Sequence, residues 1–196
     1  MLVIVDTGCA NLASVGFAFE RLGVRPVITG DADTISKAER IILPGVGAMP
    51  YAMQALKTRG LVEVLRAYTR PLMGICLGMQ MLFETSAEGG ASGLGLIEGG
   101  IDLLDTDGKP APHMGWNRLD NLADDPILAG ISPGDYVYFV HSYAARVRSE
   151  TIATSRYGQS FSAIVRRGNI YGCQFHPERS GKVGAQILQN FLKVET

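Results

Sequence analysis

The chain has 196 residues, with 18 Lys+Arg against 19 Asp+Glu, 19% charged residues and 46% hydrophobic ones. This length predicts one domain over 1–196 with a sizeable core, since a chain of roughly 200 residues buries about 70% of its unfolded surface. A net charge of −1 excludes an electrostatic nucleic-acid binder and an acidic tail, and a charged fraction below the usual ~25% leaves room for an apolar face covered by a partner.

Met1 leads straight into the apolar run Leu2-Val3-Ile4-Val5, with no basic stretch before it. This reads as a first strand buried on both faces, not as a signal peptide. Asn11 is placed to cap a helix in which Leu12, Val15, Phe19 and Leu22 recur at helical spacing, and Gly23 supplies the stop. Pro26-Val27-Ile28 and Ile41-Ile42-Leu43 read as further buried strands. Pro50 opens a helix that Gly60 closes, 61–69 reads as another, and a strand runs from Pro71 to Ile75. Strands separated by helices of about 10–15 residues predict βαβ units and a parallel sheet.

The charge-free stretch 41–56 contains Pro44, Gly45, Gly47 and Pro50. It falls short of the roughly 18 apolar residues a membrane span needs, so no membrane association is expected. Segment 86–100 is Gly-rich without a repeat. Tyr136 to Val140 is a strong strand by its aromatic and β-branched content. Strands over 150–155, 161–166 and 169–175 follow, with turns at Gly158 and Gly168-Asn169. Val183, Ile187, Leu188, Phe191 and Leu192 form one face of a terminal helix. The pattern as a whole predicts a single α/β domain with a mixed sheet.

Cys9, Cys76 and Cys173 form no C-x-x-C pair, and the three histidines show no metal spacing. No metal or cofactor is therefore expected, and reduced thiols point to the cytoplasm. Gly74-Ile75-Cys76-Leu77-Gly78 follows a buried strand and precedes the helical run Met79 to Phe83, which is the layout of a nucleophile elbow with cysteine in the nucleophile's place. The flanking glycines allow the sharp turn, the helix start favours a thiolate, and the Leu77 N–H faces any oxyanion beside the sulfur. The plainer alternative is a buried, inert cysteine.

A thiolate nucleophile needs a base, and the base needs an orienting group. His113 and His141 read as ordinary hydrogen-bonded histidines. His176 closes a strand and is followed by Pro177-Glu178, so a carboxylate can fix its tautomer. Pro44-Gly45-Val46-Gly47-Ala48 ends another buried strand; its glycines suit close backbone approach to a ligand, or simply a tight turn. Cys173 reads as core, and Cys9 has no base near it in sequence.

At these residues the sequence resembles the class I, triad-type glutamine amidotransferases, through G-I-C-L-G-M-Q at 74–80 and Q-F-H-P-E at 174–178. P-G-V-G-A at 44–48, H-M-G-W-N at 113–117, Y-F-V-H-S-Y at 138–143 and H-P-E-R-S at 176–180 resemble the histidine-synthesis branch of that family. The likeness implies a flavodoxin-like open mixed sheet, mostly parallel, with helices on both faces. It implies Cys76 as nucleophile, His176 as acid/base and Glu178 as its orienter. It further implies that Gly45, Val46, Gly47, Leu77, Gln80, Ser142 and Tyr143 hold L-glutamine or its oxyanion. Members of that branch are glutaminase subunits that pass ammonia to a (β/α)8-barrel cyclase subunit, HisF, in a heterodimer. Asn11, His113, Met114, Trp116, Asn117 and Arg179 are the residues expected at such an interface. Asp6-Thr7-Gly8-Cys9-Ala10-Asn11 departs from the branch's usual Asp-Tyr-Gly-x-Gly-Asn, and Arg179 stands where lysine is usual. Two other readings remain: another triad amidotransferase subunit, such as that of anthranilate or aminodeoxychorismate synthesis, or a scaffold that keeps the fold without the reaction.

Overall fold

The computed structural model describes residues 1–8 and 10–195; the reading of Cys9 lies outside the described residues. In chain order the first half consists of β1 (Leu2–Val5), α1 (Leu12–Arg21), β2 (Val27–Thr29), α2 (Ala32–Lys37), β3 (Arg40–Gly45), α3 (Met49–Thr58), α4 (Leu61–Arg66), β4 (Leu72–Cys76) and α5 (Leu77–Met81). The second half adds β5 (Phe83–Ser86), β6 (Ala91–Ser92), β7 (Ile97–Leu103), β8 (His113–Arg118), β9 (Tyr136–His141), β10 (Tyr143–Ala145), β11 (Thr151–Tyr157), β12 (Gln159–Arg167), β13 (Ile170–Cys173) and α6 (Gly181–Lys193). Among the described residues no helix is long and apolar enough to cross a membrane.

The main sheet has seven strands in the order β11-β12-β13-β4-β3-β1-β2. From β13 to β2 every pairing is parallel, while β11 and β12 join by antiparallel pairing. This is the expected mixed, mostly parallel sheet. Apolar residues alternate between its two faces and both are covered. Leu2, Ile4, Ile42, Met73 and Ile75 pack on one side with Phe19 of α1 and Phe191 of α6. Val3, Val5, Ile41, Leu43 and Leu72 pack on the other with Ile35, Leu56, Leu65 and Leu77 of α2 to α5. Side chains with period two on a doubly covered sheet produce this continuous apolar reading of the strands.

Several local expectations shift. Val27 and Ile28 are 40% and 45% exposed, because β2 is the sheet's edge strand and not a buried one. The run Met79 to Phe83 is not one helix: α5 starts at Leu77 and ends at Met81, and Phe83 opens β5. The Gly-rich segment 86–100 takes part in a second sheet, ordered β10-β7-β5-β6, and β8 pairs with β9 as a separate antiparallel ribbon. Helix α1 forms as expected, with Asn11 Oδ1 accepting from the Ser14 N–H at 3.3 Å and Gly23 at φ +81° beyond its end.

Candidate active site

Strand β4 lies between β13 and β3 and runs parallel to both. The C-terminal ends of these three strands therefore sit side by side, at the edge where open α/β sheets carry their sites. Cys76 ends β4, the turn at Val46-Gly47 follows β3, and the stretch leading to His176 follows β13.

The turn at Cys76 is strained. Its backbone has φ 55° and ψ −112°, a region that costs a non-glycine residue energy unless its surroundings enforce it. Enforcement comes from close backbone packing. A Cβ on Gly74 would stand 2.6 Å from the Gly78 carbonyl and the Met79 nitrogen, and one on Gly78 would stand 1.7 Å from the Leu43 carbonyl oxygen. Glycine is required at both positions because β4 and α5 close directly onto β3. The sulfur of Cys76 lies 3.7 Å from the Val140 carbonyl and faces a cavity of about 300 Å³.

The His176 backbone N–H donates to the Tyr138 carbonyl at 2.9 Å, and its own carbonyl accepts from Ser180 Oγ at 2.6 Å, so the residue is pinned on both sides. Nδ1 donates to Glu178 Oε1 at 2.8 Å, and the Glu178 side chain is only 3% exposed. The Glu178 carboxylate on Nδ1 fixes the ring's orientation and leaves Nε2 for the cavity side. Nε2 is buried and has no hydrogen-bond partner, and both His176 and Cys76 line the cavity. Burial opposes an imidazolium here and is the largest single influence. Cys76 and Glu178 together outweigh it and push His176 up to about 10. Cys173 shows the opposite case: it is fully buried, and burial, with the Glu178 charge, pushes its thiol upward. It is core, as expected.

Around the cavity stand Val46, Gly47, Leu77, Gln80, Ser142 and Tyr143, all expected there, together with Pro112, Val140 and His141. Gly45 does not line it; that residue is buried in β3 opposite Cys76, where a Cβ would come within 3.0 Å of the Gly78 nitrogen. Gly47 has φ +94° and open space beside it, so the turn is free of side-chain restraint at that position. Gln80 is buried and its amide N–H groups are engaged, with the Tyr143 carbonyl at 2.9 Å and Gln174 Oε1 at 3.0 Å. Glu88 also lines the cavity, its Oε2 accepting from the Met49 N–H at 2.7 Å. Sequence reading passes over it, because only the turn at Gly89-Gly90 beside it marks the spot.

The expected interface residues divide. Met114 and Trp116 are 66% and 55% exposed on the outer face of β8. Trp116 packs edge-on against Tyr138, and the Arg179 guanidinium lies 4.5 Å from the centre of the Tyr138 ring. His113 is a correction. Strand alternation turns it inward, where it is 3% exposed and stacked between Phe139 and Tyr157. Asn117 faces the same way and bonds to His113 and to the Arg156 carbonyl. Asn11 is exposed, at the cap of α1.

A doubly covered α/β sheet with an elbow cysteine, a carboxylate-held histidine and an adjoining backbone turn defines a class of enzyme. The chain belongs to the class-I glutamine amidotransferase family, whose model matches residues 3–194. Within it, curated relatives are narrower in kind. Imidazole glycerol phosphate synthase subunit HisH of Mannheimia succiniciproducens is 50% identical over 98% of this chain and 99% of its own length. The subunit of the same name from Colwellia psychrerythraea is 47% identical over 99% and 93%. That of Vibrio cholerae is 48% identical over 98% of each. Solved structures agree on the fold. A putative GMP synthase subunit from Thermoplasma acidophilum superimposes with TM-score 0.73 at 20% identity, covering 98% of this chain and 92% of its own. Another glutamine amidotransferase superimposes at 0.75 and 18%, covering 97% of each chain.

Proposed function

We propose that residues 1–196 act as one glutaminase domain in which Cys76, His176 and Glu178 hydrolyse L-glutamine. One observation carries the assignment: the buried, unpartnered Nε2 of His176, oriented by Glu178, at the cavity that holds the strained Cys76. Cys76 attacks the side-chain amide carbon as the thiolate, which a neighbouring imidazolium favours. The oxyanion is held by the Leu77 N–H and by backbone from the Gly45–Gly47 turn, with Val46 supplying the peptide that turns toward it. His176 protonates the departing nitrogen as the C–N bond breaks, leaving ammonia and a γ-glutamyl thioester. It then takes a proton from water, which attacks the thioester and releases glutamate. Gln80, Ser142 and Tyr143 hold the substrate, and the Glu88 carboxylate is suited to its α-ammonium group. No metal or cofactor is required by this chemistry.

Relatives that are named as subunits of imidazole glycerol phosphate synthase support the same role in histidine synthesis for this chain. Ammonia then passes to a (β/α)8-barrel cyclase subunit, HisF, which makes imidazole glycerol phosphate and AICAR in the cytoplasm. The exposed Met114 and Trp116, with Arg179 and Asn11, are the surface suited to that subunit. An exposed apolar patch beside a reactive cavity is what a sealed ammonia route requires. The test is synthesis by the paired subunits from glutamine or from ammonium salts. Cys76→Ala should abolish glutamine-dependent synthesis and leave ammonia-dependent synthesis intact. The chain alone should hydrolyse glutamine slowly and be stimulated strongly by the cyclase with its ligand bound. Full glutamine-dependent synthesis by Cys76→Ala would refute the assignment.

A further inference from the structure

Two buried histidines outside the triad connect the exposed ribbon to the wall of the cavity. His113 on β8 and His141 on β9 are directly paired residues of the ribbon. His113 Nδ1 lies 2.9 Å from His141 Nε2, His141 Nδ1 lies 3.0 Å from the Tyr143 carbonyl oxygen, and His113 Nε2 lies 3.2 Å from Asn117 Nδ2. Proton positions along this chain follow from its two ends. A carbonyl oxygen only accepts, so His141 Nδ1 carries a hydrogen. A neutral imidazole has one N–H, so His141 Nε2 accepts and His113 Nδ1 donates to it. His113 Nε2 is then an acceptor, which an amide N–H of Asn117 satisfies.

The other end fixes the same polarity independently. Asn117 Oδ1 accepts from the Arg118 N–H at 2.8 Å and Asn117 Nδ2 donates to the Arg156 carbonyl at 2.9 Å, so the amide cannot be turned over. Every link runs one way, from Asn117 through His113 and His141 to Tyr143. Both rings are neutral. Burial is the main cause. On His141 it outweighs the hydrogen bond to the Tyr143 carbonyl, which favours the charged ring. Smaller effects from Lys109 on His113 and from His113 and His176 on His141 act with burial, so that the two rings are depressed to about 4 and about 3. At the far end, the Tyr143 carbonyl accepts from both His141 Nδ1 and Gln80 Nε2, which fills its two lone pairs. The relay thus orients a peptide and an amide side chain that line the cavity.

We propose that Asn117, His113 and His141 are positioning residues: a one-way hydrogen-bonded relay that sets the Tyr143 carbonyl and the Gln80 amide, and through them the affinity for glutamine. Met114 and Trp116 alternate with His113 and Asn117 along β8, so a displacement of the exposed face of this strand reaches the cavity by the same route. The inference rests on the glutaminase reading for its ligand, but its proton positions do not.

Two measurements test it. Nitrogen-15 resonances of histidine-labelled protein should place the hydrogen on Nδ1 of both rings at pH 7, and Nε2–H on either ring overturns the relay whether or not the chain binds glutamine. Calorimetric binding of L-glutamine in a Cys76→Ala background then compares two substitutions. His141→Asn keeps an N–H near the Nδ1 position but leaves His113 Nδ1 without its acceptor, so binding should weaken by about two- to threefold. His141→Phe keeps the ring's bulk without the donor, and binding should weaken by about fivefold or more. A residue that merely fills space gives the reverse ranking, and that ranking would overturn the proposal. Absence of glutamine binding by the parent would overturn the glutaminase reading and leave the tautomer result standing.

Discussion

Gly78→Ala sets two effects of opposite sign against each other. Position 78 lies inside α5, and alanine in a helix is favoured over glycine by about 1 kcal/mol, so propensity alone predicts stabilisation. Sterics predict the reverse. The new Cβ would meet the Leu43 carbonyl oxygen at 1.7 Å and the carbonyl carbon at 2.8 Å, where real Cβ atoms keep at least 3.0 Å. Both groups are backbone, so no side chain can swing away, and α5 and β3 must part by more than an ångström. Overpacking of this kind costs about 3 kcal/mol or more. The net loss of about 2 kcal/mol lowers the melting temperature by roughly 4–8 °C in a chain of this size. The same movement carries the Leu77 N–H and the Cys76 sulfur with it, and a misplacement of about 1 Å costs roughly a hundredfold in rate. Gly16→Ala in α1 is the control. Its Cβ meets only Ile28 Cδ1 at 3.6 Å, an ordinary contact, so it should be stabilising by up to about 1 kcal/mol. Thermal unfolding and glutamate release on the two variants read both effects. A Gly78→Ala protein as stable and as active as the parent refutes the steric account of the elbow.

Glu178→Gln keeps an acceptor for His176 Nδ1 but removes the charge that helps raise this ring to about 10. Glutamine hydrolysis should fall by about a hundredfold, and the alkaline limb of its pH profile should move toward neutrality. Acid should destabilise the fold through the two ribbon histidines. Unfolded, they titrate near 6.5; folded, near 4 for His113 and near 3 for His141. The unfolded chain therefore binds more protons between these values, so stability is fully present above about pH 6.5 and lost as pH falls toward the folded values. His141 alone contributes a loss of about 2 kcal/mol at pH 5, with His113 adding in the same direction, measurable by denaturant titration at pH 7 and pH 5. If the proposed cyclase subunit docks on β8, Trp116→Ala should weaken its binding by about thirtyfold, as loss of an aromatic anchor does, with glutamine binding by the free chain as the control.

The proposed triad is legible in the sequence because each part has a local cause. Glycines flank Cys76 where backbones touch, and His176 and Glu178 are two residues apart at a strand end. Their meeting with Cys76 requires that β4 and β13 be parallel neighbours, a long-range pairing that only the strand order shows. What the sequence conceals is set by distant packing. The run Pro26-Val27-Ile28 reads the same in a central strand as at a sheet edge, and only the strand order exposes it. The strands at 83–103 carry scattered glycines and no clean alternation, which hides the second sheet and Glu88. His113 is legible in principle: period two along β8 sends Met114 and Trp116 outward and therefore His113 inward. Resemblance of the whole H-M-G-W-N motif to an interface segment masks that alternation.

Active-site labelling tests the central claim most directly. The chain is treated with an electrophilic diazoketone analogue of glutamine, with and without excess L-glutamine, and the peptides are mapped by mass spectrometry. The Cys76 sulfur should take up one equivalent, glutamine should protect it, and the buried Cys173 should remain unmodified. Glutamine-protectable labelling at any other residue, or Cys76 left unlabelled under these conditions, would contradict the account.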